Sequence, residues 1–311
     1  MSAISQQATL TSLIRSFHWP DLAGLHSLVH EVGDRSHPSE DHPLEHFEAE
    51  FRAPRWNAPR DVSIAVNGAG VVGYSSAFPE LNIGRTVVRF GVSVRYRRKG
   101  LGLALLNRAV ERSRALGARS VHVPATAGDL ASGALLQRAD FTPVRHFLRM
   151  VCGSLPAVST AARRGFEQRS AVLADAAELA ELQNAVFEGT WGYSPLTGDE
   201  VAALMALPGR GPERVLLLTE SGRPIAYAWT HLFRRGGAWN GTLMMNGVHP
   251  AYRRLGLGEM IAAAGVRSLF EAGAVSVDLE VDGTNALAVR MYENLGFRRR
   301  GGTFWYERRL K

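Results

Sequence analysis

Two stretches of this chain combine arginine and glycine in a spacing suited to a phosphate. One is Arg253-x-x-Gly256-x-Gly258, inside the run Asn246 to Met260. Glycine lets the backbone come close to a ligand, and free N–H groups at the start of a helix bind phosphate. Arg253 and Arg254 add positive charge at the rim. The chemistry suggested is the binding of a pyrophosphate-bearing cofactor. Alone, a pattern this short arises by chance. It occurs twice, however: Gly91 to Gly102 matches Gly247 to Gly258 without a gap, 156 residues apart. The offset is half the chain, so the sequence is an internal duplication.

A second candidate is the pair His42 and His46, four apart with Glu45 nearby, which could share a helix face as metal ligands. The segment from His37 to Glu50 reads equally as a solvated loop and helix, there is no His-Glu-x-x-His, and no metal is expected.

Composition narrows the classes. At 311 residues the chain is comfortable for two domains. Apolar content of 46% and charged content of 21% are those of a globular protein, and no apolar run is long enough to span a bilayer. Met1 to Thr9 lacks the charged and apolar regions of a secretion signal, and a single cysteine, Cys152, fits a reducing compartment. A cytoplasmic protein is therefore expected. The net charge of +7 favours anionic partners: nucleic acid, an anionic surface or a phosphorylated cofactor.

The elements that must position the loops follow from periodicity. Asp21 opens a helical pattern through Val32. Asp61 to Val66 and Val71 to Phe78 form a hairpin about Asn67-Gly68-Ala69-Gly70, and Thr86 to Val94 is a third strand entering the first glycine loop. A helix from Leu103 to Leu116 stops at Gly117. A short strand (Ser120 to Val123), a helix (Ala131 to Ala139) and a closing strand (Thr142 to Val151) follow. The second half repeats the order: a helix after Asp175, a hairpin about Ser221-Gly222-Arg223-Pro224, and a third strand from Asn240 to Val248. Then come a helix from Met260 to Ala272, a strand from Val275 to Val281, a helix from Asn285 to Leu295 and a last strand from Thr303 to Arg309. The expected fold class is α+β, with two tandem domains, 1–154 and 166–311, joined by a linker at 155–165.

This order of elements, with R-x-x-G-x-G after the third strand and an Asn-led helix ending in Gly-Phe, resembles the GNAT superfamily of acyl-CoA-dependent N-acyltransferases. Two copies resemble its tandem members, mycothiol synthases among them. The resemblance implies a mixed, mostly antiparallel sheet flanked by helices in each half, and acetyl-CoA as cofactor. It implies coenzyme A contacts from Asn246, Gly247 and Val248 on the strand and from Arg253, Arg254, Leu255, Gly256, Leu257, Gly258, Glu259 and Met260 in the loop. The matching N-terminal positions are Val92, Ser93, Val94, Arg97, Arg98, Lys99, Gly100, Leu101, Gly102, Leu103 and Ala104.

The later motif separates the halves. Asn285, Ala288, Tyr292, Gly296 and Phe297 fit the family pattern N-x-x-A-x-x-x-Y-x-x-x-G-F. That makes Asn285 a cofactor contact or a helix N-cap, and Tyr292 the general acid that protonates the departing thiolate. The N-terminal copy has Asp129, Leu136 and Asp140 at the corresponding places, so it is expected to be degenerate and non-catalytic. Candidate bases for the incoming amine are Glu280, His249 and His231, and Trp191 and Tyr193 are candidates for a substrate wall. Mycothiol synthase types carry a carboxylate early on the third strand; Trp239-Asn240-Gly241-Thr242 has none, which puts that acceptor in doubt.

The expected activity is transfer of an acetyl group to a primary amine of a small molecule or peptide, by a monomer or homodimer that binds no membrane. A non-catalytic acyl-CoA-binding protein is the alternative. A dinucleotide dehydrogenase is disfavoured because the third glycine of G-x-G-x-x-G is missing, and a P-loop enzyme by the missing G-K-[S/T]. Nucleic-acid binding is disfavoured because the arginines coincide with the glycine loops.

Overall fold

The computed structural model describes residues 14–33, 43–53, 56–68, 70–159, 165–207 and 211–311. The chain forms two compact units, one of Met1–Arg145 with Phe304–Lys311, the other of His146–Thr303. In the first, β1 (Ile14–Ser16), β2 (Val62–Asn67), β3 (Gly70–Glu80), β4 (Arg85–Val92) and β5 (Ser120–Thr126) lie side by side in that order. Neighbours are antiparallel except β4 and β5, which are parallel. Five helices are described here: α1 (Leu22–Val32), α2 (Leu44–Phe51), α3 (Ala58–Asp61), α4 (Leu101–Ala115) and α5 (Leu130–Arg138).

The strand β6 (Thr142–Cys152) passes from this unit into the next. The second unit adds β7 (Glu167–Ser170), β8 (Val215–Glu220), β9 (Arg223–Arg235), β10 (Ala238–Val248), β11 (Val277–Asp282) and β12 (Arg298–Arg309), ordered β6-β11-β10-β9-β8-β7. Its described helices are α6 (Ala176–Phe187), α7 (Gly198–Met205), α8 (Leu257–Glu271) and α9 (Ala286–Asn294). Only β10 and β11 are parallel among the neighbours from β6 to β7.

Each unit is closed by a strand from a distant part of the chain. Phe147 to Cys152 of β6 pair with Asp282 to Val277 of β11 in the second unit. The end of β12 belongs to the first unit, where Phe304 and Tyr306 join the core around Val121, Leu136 and Phe141. Burial of apolar side chains on both faces of each sheet supplies the driving force. In the second unit α8 packs one face through Ile261, Ala262, Val266 and Leu269, and α6 and α7 pack the other through Leu179, Leu182 and Val201. The contact of α8 with β9 is close: a Cβ on Gly265 would lie 2.9 Å from that of Ala228.

Two helices begin earlier than periodicity implied. α4 starts at Leu101 and α8 at Leu257, so Gly102 and Gly258 sit inside the first turn. The R-x-x-G-x-G spacing reads both glycines of each motif as loop. The chain in fact turns at Gly100 (φ 85°) and Gly256 (φ 73°), left-handed positions that glycine takes without a Cβ clash, and winds into helix at the next residue. The short β1, α3 and β7 escaped periodicity for want of length. α7 carries a legible start signal, the reciprocal cap of Thr197 and Glu200. His42 lies outside the described residues, and among those described no group of three metal-ligating side chains is found.

Candidate active site

In the second unit β10 and β11 separate. Their ladder is limited to Gly241↔Val277 and Thr242↔Asp278, yet β10 continues to Val248 beside β9. The bond from His249 N to Ile225 O (2.8 Å) sets the alternation of this antiparallel pair. By that alternation Gly247 turns its main-chain groups to β9, while Asn246 and Val248 turn theirs to the open side. A register shift between Leu243 and Met245 bulges the strand just before them. The first unit repeats the separation: β4 and β5 pair only over Arg85 to Val87, and Phe90 and Val92 face the open side. Its β3–β4 ladder has no bulge.

Gly247 has a packing role. A Cβ there would overlap Val186 Cγ1 of α6, so the glycine lets the end of that helix lie against the strand. Gly91 does the same for Val32 of α1, 2.9 Å from its Cβ position.

Beyond the strand, Arg254 (φ 64°) and Gly256 both adopt the left-handed conformation, as Arg98 (φ 63°) and Gly100 do. A non-glycine residue there is uncommon. The result is a concave run of N–H groups leading into a 15-residue helix. Among the described residues none accepts from the backbone N–H of Arg254, Leu255, Gly256, Leu257, Gly258 or Glu259, nor from that of Arg98 to Leu103; the first helical bonds are Met260 N to Gly256 O and Ala104 N to Gly100 O. Six free donors at the positive end of a helix dipole suit a pyrophosphate. The Arg253 guanidinium braces the loop, donating to Val186 O (3.0 Å) and Val248 O (3.4 Å); Arg97 reaches Val92 O in the same way (2.9 Å).

Asn285 caps α9, accepting from Ala288 N at 3.1 Å, and Asp129 caps α5 likewise from Ser132 N at 3.0 Å. Seven residues on, Tyr292 is 8% exposed and packs edge-on against Phe297. Its hydroxyl donates to Asn246 Oδ1 at 2.6 Å, which joins α9 to the open edge of β10. Burial pushes its pKa up to about 12, against a smaller opposite pull from the Asn246 carboxamide. The phenol is therefore a proton-bearing donor at any physiological pH.

The other candidates are spread out. His249 is a turn residue: its Nδ1 takes the N–H of Ala251 at 3.3 Å. Glu280 is solvent-facing on β11 and accepts from Thr303 Oγ1 at 2.8 Å. His231 lies across the ladder from Thr242. The Tyr193 hydroxyl donates to Asn184 (2.9 Å) and its ring stacks on Phe187, so it pins its loop to α6. Trp191 lies 6.1 Å from Phe147.

Several groups were not visible in the sequence. Asp278, at the point where the strands part, accepts from Thr242 Oγ1 (2.6 Å) and from Arg149 (2.7 Å). A carboxylate thus stands beside the third strand after all, supplied by β11. Arg149 and Phe147 reach this unit through β6. Gln183 and Tyr227, both 0% exposed, face one another's layer from α6 and β9, and Gln183 Oε1 and Nε2 and Tyr227 Oη lack a hydrogen-bond partner among the described residues. The signal for Gln183 was a polar residue at an apolar position of a helical pattern.

A sequence profile of the acetyltransferase (GNAT) family matches residues 25–141 and again 177–297. The chain belongs to the GNAT family. It is a tandem member and an acyltransferase. It is 32% identical over 250 residues to a mycothiol acetyltransferase of Mycobacterium avium, covering 73% of this chain and 75% of that protein. It is 28% identical to one of Gordonia bronchialis, covering 76% and 79%. In fold it is similar to a GCN5-related N-acetyltransferase of Sphaerobacter thermophilus (TM-score 0.72, 18% identity, 95% of each chain). It is also similar to a tandem GNAT protein from the clavulanic acid biosynthesis pathway (TM-score 0.71, 16% identity, 99% and 97%). No helix described is long and apolar enough to cross a membrane. GNAT enzymes use acetyl-CoA as acyl donor, and the separated strands and free N–H run of each unit fit such a molecule.

Proposed function

We propose that acetyl transfer takes place in the second unit, with acetyl-CoA as donor, and that the first unit is non-catalytic. The observation that carries this reading is the Tyr292–Asn246 hydrogen bond at the open edge of β10, beside the free N–H run. Bound there, acetyl-CoA supplies an activated acetyl thioester. The N–H groups of Arg254 to Glu259 hold its pyrophosphate, and the outward main-chain groups of Asn246 and Val248 pair with the pantetheine arm and polarise the thioester carbonyl. Tyr292 gives a proton to the departing sulfur. Arg149 already neutralises Asp278, which leaves Glu280, on the same face of β11, as the carboxylate able to take a proton from the incoming ammonium.

For the acceptor we infer a small-molecule primary amine, des-acetyl mycothiol being the first to try. The relatives' names and the Asp278 carboxylate beside Thr242 both support it. The test is free-thiol release from acetyl-CoA with des-acetyl mycothiol, glucosamine and a short peptide as acceptors, together with calorimetric binding of acetyl-CoA. Turnover with one amine far above the rest supports the reading. Absence of acetyl-CoA binding to the intact chain would sink it.

A further inference from the structure

The Tyr292 phenol has one proton, and in the free protein that proton is committed to Asn246 Oδ1 at 2.6 Å. As it stands the hydroxyl cannot also donate to a sulfur. Simply breaking the bond would leave the phenol, 8% exposed, without a partner in an apolar setting that contains Phe297, Val289 and Leu295, and an unpaired polar group there is costly. A carboxamide offers another course. Its oxygen and nitrogen ends exchange by a half-turn about one bond, and the nitrogen end is a donor. Turned that way, Asn246 would donate to the phenolic oxygen and leave the O–H free to point into the gap between β10 and β11.

The other unit supports a joint role for the two side chains. Where the second unit has Asn246 and Tyr292, the first has Phe90 and Leu136, packed in one apolar cluster. Neither the strand nor the helix needs a polar residue at these places, and both are apolar together.

We propose that Asn246 is the positioning residue that switches Tyr292 from a parked donor to an acid, by reversing its carboxamide when the thioester is bound. The inference rests on the reading of Tyr292 as the acid. In the step itself the amine nitrogen forms the C–N bond, the C–S bond breaks with its electron pair moving to sulfur, and the Tyr292 proton passes to that sulfur. The nitrogen gives its own proton to solvent, from which the phenolate is refilled. During the transfer the Asn246 N–H stabilises the phenolate, which a carboxylate or a methyl group at this place could not do.

Three variants test this in the full chain, with acetyl-CoA and the best of the acceptors above: Asn246→Asp, Asn246→Ala and Asn246→Ser. The isosteric Asn246→Asp accepts but cannot donate, so its kcat should fall at least about tenfold below that of Asn246→Ala, with KM for acetyl-CoA little changed. Its rate relative to wild type should recover as the pH is lowered and the new carboxyl gains a proton to donate. Asn246→Ser, which keeps a donor, should be several-fold faster than Asn246→Ala. In a Tyr292→Phe background Asn246→Asp should cost nothing further. The proposal is overturned if Asn246→Asp matches or outpaces Asn246→Ala. Should Asn246→Asp fail to fold, equal rates for Ser and Ala overturn it instead. If Tyr292→Phe alone leaves kcat intact, what fails is the acid assignment on which this rests.

Discussion

In the first unit the open edge of the third strand carries Phe90 and Val92, and Leu136 stands on the helix that packs against it. In the second the same places hold Asn246, Val248 and Tyr292, with Tyr292 hydrogen-bonded to Asn246. The difference extends to the opposite face. Val29 lies one helical turn before Val32, and Gln183 one turn before Val186, where each valine seats against the strand glycine. What does not differ is the backbone of the phosphate loop: paired left-handed residues, six free N–H groups, and an arginine stitched to the strand carbonyl. The first loop is if anything more basic, with Arg95, Arg97, Arg98 and Lys99 where the second has Arg253, Arg254 and the acidic Glu259. The first unit thus has the same run of main-chain donors, while the side chains at the places of Asn246 and Tyr292 belong to core packing. Main-chain donors are indifferent to sequence so long as the glycines remain.

The sharpest way to break this contrast is at Tyr292. Tyr292→Phe should lower kcat by about 10²- to 10⁴-fold, the usual worth of a positioned acid, with acetyl-CoA affinity unchanged. Because burial holds the phenol near 12, the wild-type rate should show no alkaline fall near the ordinary tyrosine value of 10.0; a fall there would mean that the group is not this buried phenol.

The strand glycines come next. Gly247→Ala drives a methyl into Val186 and should destabilise by about 1–3 kcal/mol in denaturant unfolding. Gly91→Ala should cost less, since its nearest contacts lie at 2.8 and 2.9 Å, whereas a methyl at Gly247 overlaps Val186 Cγ1.

The second loop glycines separate binding from folding. A Cβ on Gly258 meets only Val248 and Met291 at 3.7 and 3.8 Å, so Gly258→Ala should fold well and gain up to about 1 kcal/mol of helix propensity. If the loop holds acetyl-CoA as proposed, Gly258→Ala should nonetheless weaken that binding about tenfold, or 1.4 kcal/mol. Gly102→Ala carries the test to the first unit, where its Cβ meets Leu135 at 3.3 Å: if calorimetry finds two sites per chain, each alanine should weaken one of them and leave the other unchanged.

A further effect is a pH dependence confined to the first unit. Burial, with Arg85 adding to it against a counter-pull from Glu307, lowers the His122 pKa from 6.5 to about 4. Between these values the unfolded chain binds the proton and the folded one does not, so stability should fall as pH drops through that window. His122→Gln should flatten the slope of the unfolding midpoint against pH; an unchanged slope would place the titration elsewhere.

Local pattern reached the duplication, the order of the main strands and helices, both glycine loops, and the inequality of Tyr292 and Leu136. These are properties of neighbours in sequence: the periodicity of a helix, the alternation of a strand, the turn that only glycine makes easily. The partner of Tyr292, the carboxylate beside Thr242, the strand that closes each unit and the closeness of Val186 to Gly247 were decided by tertiary structure alone. Asn246 and Tyr292 are far apart in the chain and meet where a parallel pair of strands parts after two rungs; Arg149 and Asp278, also distant in sequence, meet because β6 pairs with β11. Sequence singled out Tyr292 and the glycine loop because each belongs to a local motif; it could not give the partner of Tyr292, because that contact is made between two elements that only the packed sheet brings together.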